Sequence, residues 1–327
     1  MTDQAPAGTP GTRTGGRGLN PAALAAYAGG ALTALGALGV GVLFGQAVMA
    51  RLTIPGAEAP PPRCDGEYGQ TYPAGHPIRL AVIGDSTAAG YGVHTAAQTP
   101  GALLATWIAD AARRRVQLTC PAVVGSISAW LLWQVEIAIE AGVDLAVIFV
   151  GANDVTTREN EAAAVQYLED AVRALRTAGA EVVVATCPDL GTIRPIRPPL
   201  RWLARHWSRR FAAAQAIAVA RAGGRAVALG SLLGPEFEAA PERMFGEDRY
   251  HPSAEGYRTA AGVVLPEALV AIGLDPATVT PAEPGPAEVG EPPALERPGE
   301  EAPMIGPIAG ATNRPVAAPA AEHHVPS

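Results

Sequence analysis

The sequence predicts an α/β fold in which helices cover both faces of a parallel β-sheet. Three short segments, at 79–83, 144–150 and 181–185, are apolar almost throughout, as strands buried on both faces are. Longer helical patterns lie between them, and the segment at 161–178 carries its apolar residues along one face. Apolar strands that alternate with helices are typical of a parallel sheet covered on both sides.

The predicted elements follow one another between residues 77 and 274. Strands are predicted at 79–83, 117–124, 144–150, 181–185 and 226–229. Helices are predicted at 103–112, 128–141, 161–178, 200–222 and 254–272. We therefore expect one domain at 77–274, which is long enough to bury a sizeable core.

The segments outside this domain differ from it in composition. We expect a disordered leader at 1–20, a Pro/Gly-rich linker at 51–76 and a disordered tail at 275–327 that is rich in Pro, Ala and Glu. The tail holds eight acidic residues against two arginines, so it carries most of the chain's net charge of −7. A chain with this balance has no basic domain to neutralise phosphates, and we expect no nucleic-acid partner.

Residues 21–50 contain no charged side chain. About 20 apolar residues suffice to cross a bilayer, so the segment is predicted to be a transmembrane signal-anchor helix. The alternative is a cleaved signal peptide, although its apolar core is normally only about 7–15 residues long. Arginines flank the segment about equally on both sides, but the short leader and the Pro-rich spacer favour a single-pass protein of the cell membrane with an extracytoplasmic catalytic domain.

The candidate catalytic residues lie at the ends of the predicted strands and before the last helix. Ligands of an open parallel sheet bind beyond the carboxyl ends of its strands, and Ser86 and Asn153 follow two of them. Asp248 and His251 stand three residues apart before the last helix, so one turn can bring the carboxylate to the ring. A serine nucleophile needs a histidine base and a carboxylate to orient it. The N–H groups of Ser86 and Gly125 and the Asn153 amide are candidate donors to an oxyanion.

Four motifs resemble, in the same order, the four sequence blocks of the SGNH hydrolases, also called GDSL-type esterases. They are GDSTAAG at 84–90, Gly125, GAND at 151–154 and DRYH at 248–251. The resemblance implies a flavodoxin-like three-layer α/β/α fold with a five-stranded parallel sheet of order 2-1-3-4-5. It also implies Ser86 as nucleophile, His251 as base, Asp248 as its orienting acid and Ser86, Gly125 and Asn153 as the oxyanion hole, with no metal or organic cofactor.

The predicted function is that of a membrane-anchored serine esterase, which hydrolyses carboxylic esters through an acyl-enzyme on Ser86. Its substrate would be a small-molecule, lipid or acylated-glycan ester, and the sequence leaves the oligomeric state open. Two alternatives stay open: a cell-surface polysaccharide deacetylase of the same fold, and a non-catalytic extracytoplasmic binding protein.

Several further side chains have two interpretations. In the implied sheet order, Cys120 and Cys187 lie about 14 Å apart, beyond disulfide reach, so both are interpreted as buried thiols. Cys64 with Cys120 is the pair that geometry least forbids, if the domain lies in an oxidising compartment. Asp154 is interpreted as structural.

An arginine face and two tryptophans each have two interpretations. The helix face of Arg201, Arg205 and Arg209, beside Trp202, is either solvated or rests on anionic head groups. Trp130 and Trp133 either line a pocket or pack in the core.

Overall fold

A computed structural model of the chain describes residues 39, 41–49 and 59–278. Within 59–278 the strands are β1 (Gly66–Tyr68), β2 (Ile78–Gly84), β3 (Val116–Thr119), β4 (Leu145–Phe149), β5 (Glu181–Ala185) and β6 (Arg225–Val227). The α-helices are α1 (Ser86–Ala89), α2 (Pro100–Ala112), α3 (Leu131–Glu140), α4 (Ala152–Thr157), α5 (Glu161–Thr177), α6 (Leu200–Arg221), α7 (Leu229–Ala239), α8 (Pro241–Met244) and α9 (Ala254–Ala271).

The six strands form one sheet of order β1-β3-β2-β4-β5-β6. Strands β2 to β6 are parallel and follow the predicted order 2-1-3-4-5, so the three-layer α/β/α prediction is confirmed. The strand count is corrected from five to six, because β1 adds an antiparallel edge strand beside β3. β1 lies in the segment assigned to a linker; three residues are too few to show a periodic pattern.

Alternating residues of the central strands pack into two separate cores. Leu145, Val147 and Phe149 of β4 join one cluster with residues of α2 and α9. Ala146 and Ile148 join the other cluster with residues of α3, α5 and α6. Successive side chains of a strand point to opposite faces, so a strand covered on both sides must be apolar at every position.

The predicted anchor lies mostly outside the described residues, as do the leader, part of the linker and nearly all of the tail. Of 21–50, the structure describes only residue 39 and the stretch 41–49, which are helical. Within the described part of the chain, no helix combines the length and apolar character that a bilayer crossing needs.

The junction between β2 and β4 leaves no room for a side chain. Gly84 pairs with Phe149, and a Cβ built on Gly84 would lie 1.8 Å from the Phe149 carbonyl oxygen. The φ angle of Gly84 is +137°, which L-residues with a side chain rarely adopt. Only glycine therefore lets β2 end at this level of the sheet.

We predict that Gly84→Ala lowers the free energy of unfolding by more than about 3 kcal/mol, because strain and overpacking act together. Gly179→Ala is the matched control: Gly179 also has a positive φ, +89°, but a Cβ there meets nothing within 4 Å. We expect it to cost only about 1–2 kcal/mol. Urea unfolding measures both, and equal losses would contradict the steric argument.

Candidate active site

Ser86 is the first residue of α1 and directly follows the end of β2. Asp85 caps this helix: its carboxylate accepts a hydrogen bond from the Thr87 N–H at 2.8 Å. Gly90 ends the helix in a left-handed conformation. The first N–H groups of a helix have no acceptor within it. The strand-to-helix turn therefore presents both the hydroxyl and the N–H of Ser86 at the carboxyl edge of the sheet.

Ser86, His251 and Asp248 form a continuous chain of hydrogen bonds. His251 Nε2 lies 2.9 Å from Ser86 Oγ, and His251 Nδ1 lies 2.6 Å from Asp248 Oδ2. The other carboxylate oxygen of Asp248 accepts the N–H groups of Tyr250 and His251, each at 2.9 Å. The structure thus brings together three residues that span 165 positions of the chain.

The charge of Asp248 assigns the proton on the imidazole. Burial alone would raise the pKa of Asp248, but its hydrogen bond to His251 and the two backbone N–H groups outweigh burial and lower it. An ionised carboxylate only accepts hydrogen bonds, so Nδ1 of His251 carries the hydrogen in that bond. In the neutral ring, Nε2 then has a lone pair that faces the Ser86 hydroxyl.

The surroundings of His251 restrict how the ring can turn. The ring of Tyr91 meets it edge-on with centroids 4.6 Å apart, and that of Tyr250 does so at 4.9 Å. Tyr257, from α9, donates a hydrogen bond to the Tyr91 carbonyl at 2.8 Å. The turn before α9 is closed by a 2.8 Å bond from the Gly246 N–H to the His251 carbonyl. These contacts hold the imidazole in line with Ser86.

The three predicted oxyanion donors come from three neighbouring loops. Gly125 has a φ of +82° in the turn that the Ser126 N–H closes on the Val123 carbonyl. In the described part of the chain, no hydrogen-bond acceptor is paired with the N–H of Ser86 or of Gly125. Asn153 Nδ2 donates to the Ser126 carbonyl at 2.9 Å, and an amide has a second N–H hydrogen for another acceptor.

A buried glutamine that the sequence analysis missed ties these loops together. Gln134 Oε1 accepts the Gly84 N–H at 2.7 Å, and its Nε2 donates to Ser126 Oγ at 3.0 Å. Since the Ser126 carbonyl accepts the bond from Asn153, Gln134 links the loops of the first three of the four sequence blocks. The one feature of the sequence that could have pointed to Gln134 is that its amide side chain stands between apolar residues of the predicted helix.

Asp154 and Gln215 brace the loop after β4. The Asp154 carboxylate accepts the N–H and the hydroxyl of Ser128, at 3.0 and 3.1 Å, in keeping with a structural role. Gln215, which the sequence analysis also missed, donates to the Val150 carbonyl at 3.1 Å and accepts the Cys187 N–H at 2.7 Å. It thereby connects the ends of β4 and β5.

Ser86, Asn153 and His251 line one cavity of about 830 Å³, counted with its open mouth; Gly125 is not part of the lining. Most of the lining is apolar, and includes Phe149, Leu190, Ile193, Leu229, Leu233, Phe237 and Phe245. Among the described residues, no group of three or more His, Cys, Asp or Glu side chains could hold a metal ion.

The aromatic and arginine candidates lie elsewhere. Trp130 and Trp133 are 45% and 37% exposed and do not line the cavity. They therefore neither form a pocket wall nor pack in the core.

Arg205 and Arg209 form ion pairs with the buried carboxylate of Asp189, a residue of the cavity wall. The arginine face is therefore not merely solvated: it neutralises a buried charge. Trp202 is 65% exposed.

The chain is similar to known proteins of one hydrolase family. The model of the GDSL-like lipase/acylhydrolase family matches residues 82–259. The GDSL-like esterase Rv1075c of Mycobacterium tuberculosis is 43% identical over 277 residues, which cover 79% of this chain and 87% of that protein.

Solved structures resemble the chain more distantly. The crystal structure of TesA has a TM-score of 0.46 and 21% identity, and covers 59% of this chain and 99% of that one. For Axe2, an acetylxylan esterase from Geobacillus stearothermophilus, the TM-score is 0.46, the identity 17% and the coverage 58% and 94%.

Asp85 is a second perturbed carboxyl at the site. It is 2% exposed, and burial raises its pKa to about 6, although its hydrogen bonds with Thr87 lower the pKa. The unfolded value is about 3.9, so the folded state binds more protons between these two pH values. The stabilisation that Asp85 gives in its protonated form is therefore lost as the pH rises through about 6.

We predict that the unfolding free energy of the wild type, measured relative to Asp85→Asn, falls by roughly 3 kcal/mol between pH 3 and pH 7. Asparagine keeps the helix cap without the charge. Asp248→Asn is the opposed control: the lowered pKa of Asp248 makes its contribution present above about pH 3.9 and lost at lower pH. Urea unfolding from about pH 2 to pH 7 measures both, and a pH-independent difference for Asp85→Asn would contradict the raised pKa.

Proposed function

This chain belongs to the GDSL-like lipase/acylhydrolase family and is an ester-hydrolysing enzyme, and we propose that it acts through an acyl-enzyme on Ser86. The observation that carries the proposal is the unbroken chain of hydrogen bonds from Asp248 through His251 to Ser86. This arrangement is what a weakly nucleophilic hydroxyl needs in order to attack a carbonyl carbon.

Acylation begins when His251 Nε2 takes the Ser86 hydroxyl proton as Oγ attacks the ester carbonyl. The tetrahedral intermediate carries a negative oxygen, which the N–H groups of Ser86 and Gly125 and the second amide hydrogen of Asn153 would stabilise. The imidazolium then gives its proton to the leaving alcohol, and the acyl group stays on Ser86.

Deacylation repeats the sequence with water. His251 removes a proton from a water molecule, whose oxygen attacks the acyl carbonyl, and then returns the proton to Ser86 Oγ as the acid leaves. Asp248 keeps Nδ1 protonated and stabilises the imidazolium without taking the proton itself. Its lowered pKa suits this role, because the carboxylate must remain charged at neutral pH.

We propose that the acyl part of the substrate is an apolar chain or aryl group. The cavity that Ser86 and His251 line is walled by large apolar side chains. Burying each methylene of an acyl chain is worth about 0.8 kcal/mol, so such a wall rewards longer chains. An acetylated glycan would place only one methyl group in this space, which makes the polysaccharide deacetylase the weaker candidate.

We further propose that residues 21–50 anchor the enzyme in the cell membrane, with residues 52–327 on the extracytoplasmic side. The support comes from the sequence: 30 residues without a charge, followed by a Pro-rich spacer.

We predict that a fluorophosphonate probe labels Ser86 of the wild type and does not label Ser86→Ala, whose esterase activity falls to a residual rate because the triad acts as a unit. Asn153→Ala is the matched variant. It should still be labelled, while losing one oxyanion donor should lower kcat by about 10²–10³. Mass spectrometry and a p-nitrophenyl ester assay measure both. Wild-type activity in Ser86→Ala would overturn the mechanism, and an unlabelled wild type would favour the binding-protein alternative.

We predict that kcat/KM rises from p-nitrophenyl acetate to the hexanoate, by up to about fourfold per methylene. Leu233→Ser removes an apolar residue of the cavity wall and should flatten this rise. Leu232→Ser changes its neighbour, which is 55% exposed, and should leave the rise intact. A preference for acetyl esters, unchanged in Leu233→Ser, would favour the deacetylase.

Protease added to intact spheroplasts is expected to digest the catalytic domain, because we place residues 52–327 outside the membrane. The purified protein must be shown to be cleaved by the same protease. A domain that survives until the membrane is permeabilised would contradict the proposed orientation.

A further inference from the structure

Two cysteines meet at the edge strand of the sheet. β1 pairs with β3 in an antiparallel register in which Gly66 lies opposite Leu118 and Tyr68 opposite Val116. Each step back along β1 matches one step forward along β3, so this register, continued two residues beyond the ladder, sets Cys64 opposite Cys120. The Asp65 carboxylate accepts the Cys120 N–H at 2.7 Å and holds the two chain segments together at this point.

Both cysteines are buried thiols that interact with each other. Cys64 is 1% exposed and Cys120 is 7% exposed. A hydrogen bond with the Cys64 side chain, together with burial, raises the pKa of the Cys120 thiol well above its ordinary value. Both side chains belong to the same buried apolar cluster.

Cys187 stands apart from this pair. It is a buried thiol that packs in a separate small cluster with Ala164 and Phe211, beyond the end of β5. In the sheet, β5 is separated from β3 by β2 and β4. Three strand spacings amount to about 14 Å, so Cys187 is out of reach of Cys120.

We propose that Cys64 and Cys120 form a disulfide when the chain folds in an oxidising environment, while Cys187 remains a thiol. Opposed residues of an antiparallel pair have Cα atoms about 4.5–5.5 Å apart, inside the range of about 4.4–6.8 Å that a disulfide needs. The site is independent of the esterase mechanism, because neither cysteine belongs to the triad or to the oxyanion loops.

The oxidant is a low-molecular-weight disulfide such as glutathione disulfide. One cysteine thiolate attacks it, forms a mixed disulfide and releases one glutathione thiol. The second cysteine thiolate then attacks the mixed disulfide at the protein sulfur, forms the Cys64–Cys120 bond and releases the second glutathione thiol. Two electrons and two protons pass to the two glutathiones. Because the folded pair is buried, we expect this exchange during folding, before β1 docks on β3.

The bond would fasten a short edge strand of the sheet near the candidate nucleophile. β1 has only three residues and forms the sheet edge. The Cys120 sulfur lies 3.8 Å from the carbonyl oxygen of Ala88, within the short helix that Ser86 begins. A link between residues 64 and 120 closes a loop that contains Ser86, and closing a long loop restricts the unfolded chain.

The test uses the full chain, unfolded and refolded in parallel in a buffer with glutathione disulfide and in one with a reducing agent. Each sample is then denatured in the presence of iodoacetamide, which alkylates free thiols. The intact mass of the protein gives the number of alkylated cysteines. We expect one alkylated cysteine in the oxidised sample and three in the reduced sample. Trypsin should release a linked pair of peptides, 64–79 with 116–158, from the oxidised sample alone.

Two variants separate the bridge from unspecific oxidation. Cys187→Ser should keep the linked peptides and have no free thiol when oxidised. Cys64→Ser should lose both the linked peptides and the rise in melting temperature, about 5–10 °C, that we expect the bridge to give the wild type. Three alkylated cysteines in folded oxidised wild type, or a bridge that includes Cys187, would overturn the proposal.

Discussion

The close approach of β2 to β4 at Gly84 is the constraint on which the site depends. Gly84 lies against Phe149 with no space for a side chain, and the Asp85 N–H donates to the Phe149 carbonyl at 3.0 Å. The two strands therefore end at the same level, and the loops that carry Ser86 and Asn153 leave the sheet side by side. Because β2 lies between β3 and β4, the chain leaves it at the point where the strand order reverses, which is where open α/β sheets form a crevice for ligands.

Buried amide and carboxylate side chains make this crevice rigid. Gln134 bonds to the Gly84 N–H and to Ser126, and Ser126 in turn accepts the bond from Asn153. Gln215 spans the ends of β4 and β5 in the same manner. Burying a polar group is costly unless it is hydrogen-bonded, and within the described residues every buried side-chain nitrogen or oxygen has a partner. Packed helices thus fix the loops that the proposed chemistry needs within narrow limits.

Local patterns in the sequence predicted most of the fold but only part of the site. The buried strands have continuous apolar runs, and the motif order pointed to Ser86 and His251. Contacts that depend on tertiary placement have no local signal: the bonds of Gln134 are an example. The segment of α7 contains Gly230, Gly234 and Pro235, which disfavour a helix, yet its apolar residues pack against the domain and override that preference. β1 was missed because its pairing with β3 is not a property of its three residues.

The central claim is that this edge of the sheet performs acyl transfer through Ser86. The most direct measurement is the intact mass of the enzyme during p-nitrophenyl hexanoate hydrolysis, when the reaction is stopped with acid before it reaches the steady state. The claim predicts a species heavier by one hexanoyl group, with the added mass on Ser86 within the tryptic peptide 80–113. An acyl group carried on a residue other than Ser86 would contradict the claim.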